Sequence, residues 1–359
     1  MKVFIHCFSA TGNTARAARM VADRLAAAGH AVSLQSIDGN SPPPAEIPDL
    51  TILAFPIWSW AAPHFMLDYA RRLPKANGAR AAVLATCGAF GGQAVGEMER
   101  VLRGRGYEVA GSGEMAYPDN WVLAVNPPTG EELATSLAEG DEGTILFANS
   151  IVSPRPARFA CAFVHKIWSW PIAMLFRYFG RRFMGKFFAA DEACTSCGLC
   201  AATCPVGAIR MEGAPARPRW NASCAGCYRC INLCPAQSIQ ISVPRLGFHL
   251  GLNLGLSILC LGSIGRIHGQ LAPLPGVASW GLAALVALAG YAVATMLQLA
   301  VADAGIHWLA ARPALRPFFL RSYTKSFGRY RAPDFRPGKP AGCPRNRDSS
   351  PFPPPPPPR

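Results

Sequence analysis

The rhythm of apolar and polar positions changes repeatedly along residues 1–150. Residues 2–8 are mostly apolar with little alternation, which predicts a strand buried on both faces of a parallel sheet. Residues 14–28 place Ala and larger apolar side chains at helical spacing, closed by Gly29. Residues 31–37 and 50–55 predict two further strands, and "HFMLDYARRL" (64–73) a helix. "ARAAVLATC" (79–87) reads as a strand, 93–106 as a helix ending at Gly, 107–117 as a weaker strand and 129–140 as the start of another helix. Strand and helix alternating in such short units predict an α/β doubly wound parallel sheet over residues 1–153.

Beyond it the pattern breaks three times. Residues 154–188 are rich in aromatic and basic side chains and predict an amphipathic linker helix at an interface. Residues 189–243 are dominated by cysteine. Two apolar runs follow, 246–265 and 277–300, inside a stretch from 246 to 302. The span 276–302 carries no charge, and about 20 such residues suffice to cross a bilayer. The connection "RIHGQLAPLPG" is short, so the two runs predict a transmembrane hairpin. Residues 303–359 are basic and Pro-rich, ending "PFPPPPPPR", and are expected to be disordered.

Charge sharpens this division. Only 16% of the 359 residues are charged, yet the formal net charge is +14. From Arg312 onward, 11 Lys and Arg face two Asp. The hairpin's flanks hold Arg217, Arg219 and Arg245 on one side and Arg312, Arg316, Arg321, Lys325, Arg329 and Arg331 on the other. Its loop holds only Arg266. The positive-inside rule places both flanks in the cytoplasm, with anionic headgroups rather than nucleic acid as counterions. The expected location is the inner (cytoplasmic) membrane, multi-pass. His249, His268 and His307 read as interfacial residues rather than haem ligands.

Eight of the 13 cysteines lie between 194 and 234. The opening "MKVFIHCF" reads as a strand, not a signal segment, which puts these cysteines in a reducing compartment as metal ligands. "CTSCGLCAATCP" (194–205) and "CAGCYRCINLCP" (224–235) repeat one C-x₂-C-x₂-C-x₃-C-P unit 30 positions apart. Zinc sites also use paired C-x₂-C motifs, but not three cysteines at x₂ spacing and a fourth before Pro, twice. The pair resembles the bacterial two-cluster ferredoxins, in which the fourth Cys of each run ligates the other cluster. That resemblance implies two [4Fe-4S] clusters. One is held by Cys194, Cys197, Cys200 and Cys234, the other by Cys224, Cys227, Cys230 and Cys204. The small residues Gly198, Ala225 and Gly226 are expected to let backbone amides approach the cluster sulfurs.

"SATGNT" (9–14) ends the first strand without a cation. A phosphate at such a place meets the free amides of a helix N-terminus, and hydroxyls complete the cage. By itself the turn reads equally as a capped helix with no ligand. The absence of Lys argues against a P-loop, and the glycine spacing against a dinucleotide turn. The stretch resembles the flavodoxin phosphate loop, matched by Ser9, Thr11, Gly12, Asn13 and Thr14. The resemblance implies FMN, with Pro56, Ile57 and Trp58 of "FPIWSWAAP" on one side of its ring. Gly88, Ala89, Phe90, Gly91 and Gly92 of "TCGAFGGQA" would lie at the other edge, although no Tyr occurs at 86–92. "YPDNW" (117–121) and "GRYRAPDF" (328–335) resemble segments of fusion proteins that join a flavodoxin-like domain to a two-cluster ferredoxin domain.

The expected protein is therefore a membrane-anchored electron carrier. It would pass electrons between FMN, two [4Fe-4S] clusters and a redox protein partner, with no residue singled out as catalytic. The alternative is a flavin-dependent reductase of a quinone or another small substrate, fed by the clusters. A redox-sensing or assembly protein is a third class that no residue specifically supports.

Overall fold

The structure, a computed structural model, describes residues 1–153, 158–159, 163–271, 276–333 and 335–336. Five strands form the body of the first domain: β1 (Lys2–Cys7), β2 (Ala31–Ser36), β3 (Leu50–Pro56), β4 (Arg80–Cys87) and β5 (Glu108–Ala116). A two-residue strand, β6 (Arg158–Phe159), extends the sheet. All pairs are parallel and the order is β2-β1-β3-β4-β5-β6. The first five follow the flavodoxin-like order, whose ligand crevice lies where β1 is flanked by β2 and β3. The central strands explain the missing alternation. Leu50 to Phe55 and Ala81 to Ala85 are buried without a break, because helices cover both faces.

Four helices cover the sheet: α1 (Asn13–Ala27), α2 (His64–Arg72), α3 (Ala94–Gly104) and α4 (Gly130–Ile151). The last runs well beyond the start expected from 129–140. Its second half buries Thr144, Phe147, Ala148 and Ile151 against the face that carries Ile5, Ile52 and Leu84.

Residues of the expected linker form α5 (Phe163–Leu175), a π-turn (Phe176–Gly180) and α6 (Arg181–Met184). Ile167, Trp170, Leu175 and Tyr178 project from it into solvent. Ser169 and Ala173 face inward and are buried.

The cysteine domain contains two antiparallel pairs. β7 (Phe188–Ala190) pairs with β10 (Ile239–Ile241), and β8 (Ile209–Glu212) with β9 (Arg217–Trp220). Two single-turn helices, α7 (Leu199–Ala202) and α8 (Arg229–Asn232), carry the third cysteine of each run. The internal repeat is visible in the backbone. Ser196, Gly198 and Gly207 have positive φ, and so do Gly226, Tyr228 and Gln237, each 30 positions on.

Two helices are long and apolar enough to cross a membrane. α9 (Val243–Gln270) starts with Ser242 as cap, its side chain accepting from the Arg245 amide at 3.3 Å. The return helix α10 (Gly276–Leu297) passes through a π-turn (Gln298–Ala302) into α11 (Asp303–Ala310). The continuous helix Gly276–Ala310 is 35 residues long, ~52 Å at 1.5 Å per residue. Apolar side chains point outward from the pair: Leu259 and Leu261 are each 70% exposed.

A polar ladder joins the helices. Lys186 Nζ donates to Asp303 Oδ2 at 2.6 Å, and Asp303 Oδ1 lies 3.7 Å from His249 Nε2. Gln298 donates to the His249 carbonyl at 2.9 Å. Asn253 Nδ2 reaches Gln298 at 3.5 Å, and Tyr291 donates to Asn253 Oδ1 at 2.9 Å.

The expectation of disorder from residue 303 is corrected by the structure. Residues 303–310 complete the second long helix, and α12 (Arg316–Phe319) follows. The chain then runs back over both domains, with Tyr330, Ala332 and Phe335 buried beside Leu233. A basic composition obscured these anchors. Arg329 is held by the Gln240 side chain at 2.8 Å, and the Tyr330 amide by Asn232 Oδ1 at 3.0 Å. Residues 337–359, including the Pro run, lie outside the described residues.

Candidate functional site

A cleft opens at the carboxyl ends of β1 and β3. Ser9, Thr11, Asn13 and Thr14 form its floor, and Pro56, Ile57 and Trp58 one wall. Thr86, Cys87 and Gly88 follow β4, and Pro118, Asp119 and Asn120 close the far side. The loop is buried, with Thr11 and Thr14 each 1% exposed. Gly12 adopts φ 119°, conformationally available to glycine, and its amide donates to Ser9 Oγ at 3.0 Å. The amides of Thr11, Asn13 and Thr14 have no acceptor among the described residues. Buried amides without acceptors are rare, and at a helix N-terminus they suit an anion. This donor set fits a phosphate.

The side chains of the loop are braced from other elements. Thr14 Oγ1 lies 2.7 Å from Thr86 Oγ1, Asn120 donates to Thr11 Oγ1 at 2.5 Å, and Asn13 donates to the Pro118 carbonyl at 2.9 Å. The outer side is covered by the C-terminal segment. The Ala332 amide donates to the Thr11 carbonyl at 2.8 Å, and the Tyr330 hydroxyl donates to Asn13 Oδ1. A Cβ on Gly12 would sit 2.6 Å from the Cβ atoms of both Ala332 and Phe335. Gly12 therefore faces this strap, not the cleft.

Trp58 borders the cleft while its ring meets Phe8 edge-on at 5.8 Å and Phe65 at 6.1 Å. The second expected ring wall is only partly there. Gly88 lines the cleft, but Ala89, Phe90, Gly91 and Gly92 do not. Phe90 stacks on Trp60 at 5.8 Å and meets His165 and Trp168 of α5. Gly91 donates to Glu114 Oε2 at 2.9 Å, and Gly92 abuts Trp60 and Ser169. The loop turns away because α5 supplies an aromatic cluster that packs around Phe90. Its place at the cleft is taken by Asp119 and Asn120 of the "YPDNW" segment. The sequence marked that segment, but nothing in it said that these two side chains point inward.

The eight cysteines of the repeat surround two cavities. Cys194, Cys197, Cys200 and Cys234 line the first, and Cys204, Cys224, Cys227 and Cys230 the second. Cys230 also reaches the first and Cys200 the second, so the two adjoin. No three His, Cys, Asp or Glu side chains among the described residues converge as they would on a single ion. Four thiols spread around a cavity suit a polynuclear cluster. Burial pushes Cys200 and Cys227 up to about 12 and Cys224 to about 11. Such thiols would stay protonated in their apolar cages, and a bound iron–sulfur cluster would supply the charge that holds them as thiolates. The Ala208 amide already donates to Cys204 Sγ at 3.2 Å. At the position equivalent to Gly198 the second copy carries Tyr228, not a small residue. Its φ of 53° keeps the same left-handed turn, and its buried ring reaches the other domain.

The two sites share a wall. Ala225 belongs to the same buried cluster as Phe8 and Phe55, with Cys227 and Trp58 packed against it. Arg229 lies 5.9 Å over the Phe8 ring. Trp121 Nε1 donates to the Tyr228 hydroxyl at 3.0 Å, and Asn232 donates to the Asn120 carbonyl at 3.2 Å. The Gly39 amide donates to the Pro205 carbonyl at 2.9 Å. The second cysteine cavity thus faces the cleft, and the first lies beyond it.

Residues 193–238 match the 4Fe-4S dicluster domain family. No curated protein matches the chain. Among solved structures, a point mutant of the flavodoxin from Pseudomonas aeruginosa is 16% identical, with a TM-score of 0.31, covering 43% of this chain and 100% of its own. Flavodoxin 2 of Bacillus cereus is 22% identical, with a TM-score of 0.29, covering 41% of this chain and 99% of its own. The strand order defines a flavodoxin-like domain, and the cysteine block a 4Fe-4S ferredoxin domain. The chain joins the two in one polypeptide and adds a pair of long apolar helices, the arrangement of the fusion proteins it resembles plus a hairpin.

Proposed function

We propose that this chain is a membrane-anchored electron-transfer protein that holds FMN in the cleft and two [4Fe-4S] clusters in the cysteine cavities. When bound, a flavin exchanges one or two electrons and each cluster one, so the pair joins two-electron to one-electron chemistry. Thr11, Asn13 and Thr14 supply the amides for the phosphate. Ile57 and Trp58 offer the ring a flat apolar face, and Asp119 and Asn120 a polar edge. Cys194, Cys197, Cys200 and Cys234 would hold one cluster, and Cys204, Cys224, Cys227 and Cys230 the other. The observation that carries this reading is the common core between the sites: Ile57 and Trp58 of the cleft and Cys227 of the second cavity pack against one buried cluster that includes Phe8 and Ala225.

Membrane anchoring rests on two helices with outward-facing apolar side chains. Cytoplasmic placement of both domains follows from the basic flanks. The exposed row Ile167, Trp170, Leu175 and Tyr178 would lie on the bilayer surface. A redox protein is the expected partner on the aqueous side.

Anaerobic purification in detergent tests the proposal. The expected product contains about eight irons and one extractable FMN per chain. After photoreduction of the flavin, the cluster EPR signals should appear without added mediator. Protein lacking either cofactor, or holding both without exchange between them, would refute it.

A further inference from the structure

A large cleft of the molecule belongs to neither site. With a cavity volume of about 630 Å³ and open to solvent, it lies where the cysteine domain meets the near ends of α9 and α11. Its walls combine flat apolar faces with cations: Pro218, Trp220 and Trp308 against Arg217, Arg219 and Arg245, with Glu212 at the rim beside Arg219.

Three features mark it out. First, it borders both cysteine cavities. Pro218 lines this cleft and the first cavity, while Phe188 and Trp220 line this cleft and the second. One side chain separates the cleft from each cage. Second, Arg245 is 5% exposed, and no carboxylate pairs with it among the described residues. Among the described residues its terminal nitrogens hydrogen-bond only the His307 ring, at 3.3 and 3.5 Å, and its Nε has no partner; the nearby Asp303 carboxylate is engaged by Lys186 and His249. A buried guanidinium in this state calls for an oxygen acceptor. Third, the cleft lies at the ends of the apolar helices, where a lipid-soluble molecule would present its polar head.

We infer that this cleft binds the head group of a membrane quinone, with Arg245 donating to a ring carbonyl and Trp308 covering the ring. The inference rests on the electron-transfer reading and names its membrane substrate class. The redox balance closes with components already named. Each of two reduced clusters loses one electron. The quinone takes both electrons with two protons from water at the open mouth, and two C=O groups become C–OH. The reverse reaction oxidises a quinol by the same accounting. An anionic lipid headgroup would also suit the arginines, but would not explain why the cleft touches both cages.

The test uses the full chain with its cofactors in zwitterionic nanodiscs and decylubiquinone as probe. Quenching of tryptophan emission in the oxidised protein measures binding without turnover. Saturable quenching is expected, with Kd raised about tenfold or more in Arg245→Gln and in Trp308→Ala. Trp308 is 60% exposed, so its replacement leaves folding intact, and iron content checks both variants. Reduced protein should then be reoxidised by the probe at two electrons per quinone, with a rate saturating over the same range. Quenching that grows linearly with probe, an unchanged Kd in Trp308→Ala, or displacement of the probe by phosphatidylglycerol without any reoxidation would overturn the inference. Protein lacking flavin or clusters would defeat the electron-transfer reading alone, because the quenching titration still reports on the cleft.

Discussion

One contact that ties the second long helix to the segment leading into the iron–sulfur domain is a buried ion pair, and its removal has a calculable consequence. Lys186 and Asp303 meet at 2.6 Å with side chains 6% and 3% exposed. Asp303→Ala leaves the Lys186 ammonium, among the described residues, with only the Trp220 carbonyl at 3.4 Å. Breaking one partner of a buried pair costs about 3–5 kcal/mol, because the remaining charge stays desolvated. That is between about 10² and 10⁴ in the folded-to-unfolded ratio. Replacing both partners by apolar residues of similar volume, Lys186→Met with Asp303→Leu, removes both charges at once and should recover most of the loss. Graded denaturation in mixed detergent micelles, followed by tryptophan emission, measures all three variants against the parent. The reasoning fails if Asp303→Ala costs less than about 1 kcal/mol, or if the double variant simply sums the two single losses. In either case the pair would be hydrated and the hairpin held by other contacts.

Three other expectations follow from the same geometry. Thr14→Glu puts a carboxylate among the acceptor-free amides of the loop, so extractable FMN should fall below about a tenth of parent while iron content is unchanged. Full flavin retention would remove the phosphate from this loop. Cys197→Ser should lose about four irons and keep the other cluster, since Cys197 lines only the first cavity; iron analysis and EPR that show both clusters intact would contradict the ligand set. His6 is buried against Tyr69, and burial lowers it to about 4. Its neutral form is favoured in the native state, so the unfolded chain binds more protons between its ordinary value near 6.5 and about 4. Stability should be complete above about pH 6.5 and fall by up to about 3 kcal/mol as pH drops to about 4. His64 is lowered to about 4 by burial and adds in the same direction. His6→Leu should flatten the slope of denaturation midpoint against pH, and an unchanged slope would count against it.

Much of this architecture was legible because its signals are local. A helix-period pattern with a closing Gly fixes α1, and uninterrupted apolar runs fix β3 and β4. Eight cysteines at ligand spacing fix two cages whatever surrounds them. What escaped was carried by contacts distant in sequence. Phe90 leaves the cleft because Trp60 and Trp168, on two other elements, pack against it. Asp119 and Asn120 enter because residues 118–122 are pulled between two domains, with Val122 fully buried in the second. Tyr228 occupies a left-handed position that favours Gly, and its hydrogen bond from Trp121 accounts for the exception.

The carboxy-terminal segment shows why composition misleads where topology decides. Arginines and prolines lower the apparent gain from ordering residues 319–335, since each ordered residue costs about 1–2 kcal/mol of backbone entropy. Their anchors are few but fall on every part of the molecule. Ser242, at the start of α9, donates to the Phe319 carbonyl at 2.6 Å, and the Arg321 carbonyl accepts from the Val243 amide at 2.9 Å. Thr324 accepts from Ile241 in β10 at 3.1 Å, and Tyr330 reaches from Asn232 to Asn13. One strand of chain therefore touches the base of the first long helix, the second cysteine repeat and the phosphate loop in succession. Electron transfer between cofactors falls steeply with separation, so a domain pair that rocked freely would lose the shared wall of Ala225, Cys227 and Trp58. The strap removes that freedom by tying both domains to the base of the hairpin. It can do so only because the hairpin returns the chain to the side from which it left.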